Sequence, residues 1–302
     1  MKVPIRLLAV PRWLQSAAVV AVLMVLGTNV VAHRATASSQ LVDQAFSLRP
    51  GMAHIMQAGL VREVNLPQST CGFTMTIQRV YADANRVVVG YTITGPTNRS
   101  FINAFYVEPT LVDTQGLVMR RIEGDGSALL NNQQGAVAVF DASAVAGTGS
   151  ALALQLTVPY IRAFEQAGDT QAAAQCETYM PDLSINGHPT RIVTVPTPLT
   201  FNLTVPITSE RRQVSMSPVA NMTGTAAVPV SIVVTPSEAR VNLTGVPLSQ
   251  ASIDLVVNGQ SFAHTPGDMV GCWTVDSTAG VACSFDVPTY GTQGTWQVLS
   301  QR

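Results

Sequence analysis

Cys71-Gly72-Phe73-Thr74-Met75-Thr76-Ile77-Gln78-Arg79-Val80-Tyr81 alternates apolar and polar residues, Asp83-Ala84-Asn85 interrupts it, and Arg86-Val87-Val88-Val89-Gly90-Tyr91-Thr92-Ile93 resumes. A period of two puts every second side chain on one face of a strand. The interruption has turn chemistry, because Asp and Asn bond nearby backbone amides and tolerate positive φ. Two strands around a short turn predict a β-hairpin.

The same rhythm runs through the rest of the chain. Phe105 to Val112, Leu117 to Ile122, Ala136 to Phe140, Leu152 to Val158, Ile192 to Val195 and Leu199 to Val205 read as strands. Asp113-Thr114-Gln115-Gly116, Glu123-Gly124-Asp125-Gly126 and Asn186-Gly187 read as turns between them. Pro159 to Ala167 reads as a short helix with Tyr160, Ile161 and Phe164 on one face. Near residue 212 a second set begins: Val214 to Val219, Pro229 to Thr235, Ala239 to Thr244, and a hairpin from Ile253 to Phe262 about Asn258-Gly259. Trp273 to Val275, Ala282 to Val287 and Gly294 to Leu299 complete it. Many short strands with regular turn signals argue β-sandwiches.

Ahead of these strands lies an apolar run, Trp13 to Ala32, preceded by Lys2, Arg6 and Arg12. A basic flank before such a run retains the N-terminus in the cytoplasm and sends the remainder across. Roughly 20 residues suffice to span the hydrocarbon core, more than the apolar centre of most signal peptides. Ala35-Thr36-Ala37 nevertheless offers a small-x-small cleavage site, so anchor and cleaved signal both stand. The expected fold class is mainly β: an N-terminal transmembrane helix followed by two tandem β-sandwich, immunoglobulin-like domains. The expected divisions are a cytoplasmic segment at 1–12, the transmembrane helix or signal anchor at 13–32, a stalk at 33–60, a first sandwich at 61–212 and a second at 213–302. In the stalk, Phe46, Leu48, Met52, Ile55 and Met56 suggest one or two helical turns broken at Pro50-Gly51.

Charged residues make up 12% of the chain and the net charge is −1, so no footprint for nucleic acid exists. Lys2 is the one lysine, which excludes Schiff-base and phosphate-loop lysines. Four cysteines, Cys71, Cys176, Cys272 and Cys283, in an exported chain point to disulfides. They allow three pairings; Cys71–Cys176 with Cys272–Cys283 keeps each bond inside one domain and is the expected one. The absence of Cys-x-x-Cys rules out zinc-ribbon and thioredoxin-type readings.

Motifs for chemistry are sparse. His33, His54, His188 and His264 show no metal-ligand spacing, and no Gly-x-Ser-x-Gly occurs. Glu123 and Asp125 fall short of the oxygens calcium needs, and a solvated turn is the plainer reading. Asp83 is expected to cap its own turn. Trp273, beside Cys272, and Trp296 are expected to fill a sandwich core rather than stack on a sugar. No catalytic residue, cofactor or metal is expected.

Gly59 to Asn65 and, more specifically, Cys71 to Ile93 resemble an uncharacterised bacterial domain family whose members sit outside single-pass membrane helices. Val230 to Thr244, with Thr235-Pro236-Ser237 at its centre, is similar to the immunoglobulin-like domain that often follows. In several relatives the cytoplasmic segment is an anti-sigma-like module; the dozen residues before this apolar run are too few to grip a sigma factor. The resemblance implies no catalytic residues. The expected function is a non-enzymatic, membrane-anchored extracytoplasmic protein with a structural, binding or envelope-sensing role. A secreted carbohydrate- or protein-binding module is the first alternative, and the sensor half of a sigma-factor system the second. Expected partners are the membrane, through the N-terminal helix, and an envelope protein or glycan.

Overall fold

The structure, a computed structural model, describes residues 39–145, 149–166, 176–185, 187–196, 198–215, 230–245, 247–248, 253–263, 271–275, 280–286, 291 and 293–300. The expected membrane span at 13–32 lies outside the described residues, as do His33, Asn186 and His264. Among the described residues no helix is long and apolar enough to cross a membrane.

The stretch 71–93 forms the hairpin its alternation predicts. Strand β2 (Phe73–Ala82) pairs antiparallel with β3 (Arg86–Thr94), Ala82 opposite Val87. Phe73, Met75 and Ile77 point into the core, and so do Val80 and Ala82. The change from odd to even positions is made by a register shift between Ile77 and Arg79. An extra residue there exchanges the two faces of the strand, as a β-bulge does.

The hairpin is the centre of a five-stranded sheet. Its order is β1 (Arg62–Thr70), β2, β3, β7 (Gln133–Asp141) and β6 (Arg121–Gly126). Facing it is a four-stranded sheet of β12 (Leu199–Pro206), β8 (Ala151–Val158), β4 (Thr110–Asp113) and β5 (Val118–Met119). Leu152, Leu154, Leu156 and Phe201 from that sheet bury against Phe73, Ile77 and Val89 in one apolar core. A third sheet, β10 (Thr178–Ile185), β11 (His188–Val195) and β9 (Ile161–Gln166), extends the same core through Ile161, Ala163 and Val193.

Two sequence expectations fail here. Pro159 to Ala167 is not a helix: Ile161 to Gln166 is β9, with Ile161, Ala163 and Glu165 facing inward. Its alternation is concealed because one inward residue is Glu165, whose charge is met by Arg99 and Arg191. Glu123 to Gly126 is not a solvated turn either but the end of β6, paired with β7.

The segment expected as a stalk is packed against the body. Helix α1, described over 39–47, and α2 (Pro50–Gln57) lie on the outer face of the first sheet. Pro50 occupies the start of α2, where its missing N–H costs nothing. Val42, Phe46, Met52 and Ile55 are fully buried against Tyr81, Val88, Val137 and Val139. Strand β3 is therefore apolar on both faces, the physical reason for the unbroken Val87-Val88-Val89. Gly90 makes the fit: a Cβ there would lie 2.6 Å from the Phe46 ring and 2.7 Å from Val42.

The second unit has a five-stranded sheet of β13 (Arg212–Ser215), β14 (Val230–Val234), β15 (Ala239–Thr244), β19 (Gly280–Phe285) and β18 (Cys272–Val275). Beside it lies a three-stranded sheet of β17 (Gln260–Ala263), β16 (Ile253–Val257) and β20 (Trp296–Ser300). Ile232, Val241, Leu255, Cys283 and Val298 are among the residues of their shared core. The Asn258-Gly259 turn between β16 and β17 has φ of 52° and 81°, both in the left-handed region, as two-residue hairpins require.

Candidate functional site

The structure joins Cys71 to Cys176 and Cys272 to Cys283. The first ties the turn between β1 and β2 to the chain ahead of β10, and the second links directly opposed residues of β18 and β19. Both bonds imply folding in an oxidising compartment. Among the described residues no group of three His, Cys, Asp or Glu side chains is placed to hold a metal.

The densest polar chemistry lies between the two β units. Asp83 caps its own turn, its Oδ1 accepting from the Asn85 and Arg86 amides at 2.8 and 2.9 Å. Its Oδ2 accepts from the Tyr81 hydroxyl at 2.8 Å and from the Ser237 hydroxyl of the second unit. Arg86, fully buried, donates from Nε to the Ser237 hydroxyl at 2.8 Å and from Nη2 to Asp286 at 2.9 Å. Its Nη1 lies 3.6 Å from Glu123 and 3.7 Å from Glu238. Glu123 and Asp125 are also paired with Arg49, which immediately precedes α2. Two carboxylates considered for calcium are thus neutralised by arginine.

A second set of bonds crosses the same seam. Arg240 pairs with Asp141 at 2.6 Å and with Glu238 at 2.7 Å. The Trp273 indole donates to Asp141 at 3.2 Å beneath the Arg240 guanidinium. Trp273 is buried, but against α1, α2 and the first sheet rather than in a sandwich core. Asn85 donates to the Val233 carbonyl at 3.1 Å. Helix α2 closes the seam, since a Cβ on Gly51 would overlap the Ser237 carbonyl and the Asp286 carboxylate.

The electrostatics follow from burial opposed by pairing. Desolvation alone would weaken the charge on Arg86, but Asp286, Glu238 and Asp83 reverse this and raise its pKa. Burial pushes the Asp141 carboxyl up, yet Arg240 and Ser143 more than compensate, leaving it below its ordinary value. Burial and the adjacent Asp83 carboxylate both raise the Tyr81 pKa. Each group keeps the protonation state its partners need. The set is arranged for mutual neutralisation.

Sequence reasoning named Asp83, Glu123, Asp125 and Trp273 but missed Arg86, Asp141, Glu238, Arg240 and Asp286. In a chain that is 12% charged, an arginine opening a valine strand was the available signal.

Two other places present polar chemistry. A cleft of about 460 Å³ is lined by Thr97, Arg99, Ser100, Phe101, Asn131 and Asn132. Its cation is already engaged: Arg99 binds Glu165 at 2.7 Å and Glu177 at 2.6 Å. On the outside of the third sheet, the Tyr106 hydroxyl donates to Glu108 at 2.6 Å. The Arg162 guanidinium sits over the Tyr106 and Tyr160 rings at 5.8 and 5.3 Å. Tyr106 is 43% exposed.

A sequence family described as a domain of unknown function, DUF4179, matches residues 11–95. The match covers the apolar run, both helices and β1 to β3. It includes Arg49, Asp83 and Arg86 but none of their partners in the second unit. No curated protein matches the chain. The crystal structure of the conserved domain protein from Bacillus anthracis is similar at 10% identity and a TM-score of 0.44, over 76% of this chain and 73% of that one.

Proposed function

We propose that the chain is a non-enzymatic, membrane-anchored extracytoplasmic protein with a binding or envelope-sensing role, in which two immunoglobulin-like β units act as one body. The observation that carries this reading is the placement of α1 and α2. They follow the apolar run within a few residues, pack on the first sheet and abut Ser237 and Asp286 of the second unit. A tether attached there couples to both units at once rather than to a loose stalk. The arginines and carboxylates of the seam engage one another, which favours binding over catalysis.

Fractionation with mass spectrometry of the mature N-terminus tests the anchor. The expected result is an intact Met1 end in the membrane pellet. A soluble form beginning at Ser38 overturns it in favour of a secreted binding module.

A further inference from the structure

The cleft between segments 97–101 and 129–132 is fixed on both sides. Asn132 joins its walls: the side-chain amide donates to the Pro96 carbonyl at 3.1 Å and to the Arg99 carbonyl at 2.6 Å. The Asn132 carbonyl accepts from the Gly95 amide at 2.8 Å. Leu130 and Gln133 exchange both backbone bonds across their turn, and Asn131 and Asn132 take φ of 49° and 58° to close it. Asparagine is among the few residues that enter this left-handed region readily. The volume of about 460 Å³ falls within the roughly 300–1,000 Å³ of small-molecule sites.

Charge in this cleft is already matched. Arg99 forks onto Glu165 from Nε and Nη2 at 2.7 and 2.9 Å and reaches Glu177 from Nη1 at 2.6 Å. Arg191 also binds Glu165, at 2.6 Å. Two guanidiniums therefore meet two carboxylates, and an anionic ligand would have to compete with both for Arg99. The backbone is occupied as well. The Pro96 and Arg99 carbonyls accept from Asn132, the Ser100 carbonyl accepts from the Gln166 amide at 3.0 Å, and Leu130 is paired with Gln133. A peptide adding as a strand needs such groups open. What remains is hydroxyl and amide. Thr97, Ser100 and Asn131 are exposed, and among the described residues their side chains make no hydrogen bond. Each can both donate and accept, as a sugar hydroxyl does. Phe101 and Leu129 add apolar surface for the C–H face of a sugar ring.

We propose that this cleft binds a neutral saccharide, with the side chains of Thr97, Ser100 and Asn131 meeting its hydroxyl groups. The proposal rests on the binding role proposed above and gives that role a site and a ligand class.

Isothermal titration calorimetry of the full chain, in a detergent without a sugar headgroup, tests it with two neutral probes, tetra-N-acetylchitotetraose and maltotetraose. Saturable binding of at least one is expected. Thr97→Trp fills the cleft from an exposed position and should abolish that binding. Asn131→Ala should weaken it about tenfold, the worth of one or two hydrogen bonds. Gln115→Ala, which removes an amide from the turn after β4, should change nothing. All three variants should keep the wild-type thermal transition, which shows them folded. Heat from neither neutral probe, or binding that survives Thr97→Trp, overturns the proposal. Tighter binding of tetragalacturonate than of either neutral probe overturns it in favour of an anion site. An uncharged alanine tetrapeptide bound in place of the sugars, and lost in Thr97→Trp, overturns it in favour of a peptide site. Failed titrations with the chain still in the membrane pellet strike the cleft alone, whereas a soluble form beginning at Ser38 strikes the anchor whether or not sugar binds.

Discussion

The layers within each β unit meet through Phe, Leu, Ile and Val, whereas the two units meet largely through Arg, Asp, Glu, Ser237 and Asn85, with Trp273, Ala282 and Val275 of the second unit joining the apolar cluster under α1 and α2. Both contacts exclude water, but they fail differently. An apolar core tolerates exchange of one aliphatic residue for another of similar volume, since its energy scales with buried area. A buried ionic seam has little net stability to spare, because desolvation consumes most of the Coulombic gain. It loses heavily when one partner goes, because the remaining charges are stranded. The seam therefore holds one relative placement of the units firmly while adding little to the stability of either. Contacts between domains are in general more polar than domain cores.

Breaking that comparison is simplest at Arg86, which meets Ser237, Asp286, Glu123 and Glu238 together. Arg86→Met removes the charge but keeps much of the volume. The expected loss is about 3–5 kcal/mol, the cost of leaving buried carboxylates without their cation. Its form matters more than its size. Calorimetry of the wild type should show one transition with equal calorimetric and van't Hoff enthalpies, and the variant should show two. A single transition at a lower temperature would mean that the units are coupled by something other than this seam.

A smaller effect sharpens the part played by α2. Gly51→Ala keeps every charge and improves helix propensity, yet its methyl group would occupy the space of the Ser237 carbonyl and Asp286 carboxylate. Overpacking of this kind costs about 1–3 kcal/mol. The substitution should increase hydrogen exchange in α2 and around Ser237 while leaving the centres of both sandwiches protected. Unchanged exchange at Ser237 would show that α2 rests on the first unit alone.

These contacts differ in how far the sequence reveals them. The hairpin from Phe73 to Thr94 is legible because alternation and Asp83 turn chemistry are local. Helices in 39–57 are foreshadowed by Phe46, Met52 and Ile55, but the surface they cover is not. Gly90, which accommodates Phe46, reads in sequence as an ordinary strand glycine. Strand β9 is misread because Glu165 occupies an inward position, and only the fold shows that Arg99 and Arg191 await it. The seam is the least legible: Arg86 and Asp286 are 200 positions apart, and no pattern along the chain links them. Even so, charged residues are scarce in this sequence. Arg86 and Arg240, which lie within apolar strands, are among those the fold buries.

Acid should separate seam from core most gently. Asp141 is held below its ordinary pKa by Arg240 and Ser143 against the effect of burial, and Glu165 likewise by Arg99 and Arg191. A carboxylate with a lowered folded-state pKa contributes stability that is complete above its unfolded value, about 4 for Asp and Glu. That contribution is lost as pH falls through the folded value. Stability should therefore change little from pH 7 to about pH 5 and decline below about pH 4. Asp141→Asn removes the titrating group from the seam, and Glu165→Gln removes one from the first unit. Each should be less stable at pH 7 and show a shallower acid decline in urea titrations. If the seam holds the units together as proposed, only Asp141→Asn should also narrow the pH range over which they unfold together. An equal loss of coupling from Glu165→Gln would show that cooperation between the units reaches beyond the seam and into the first unit's own charged network.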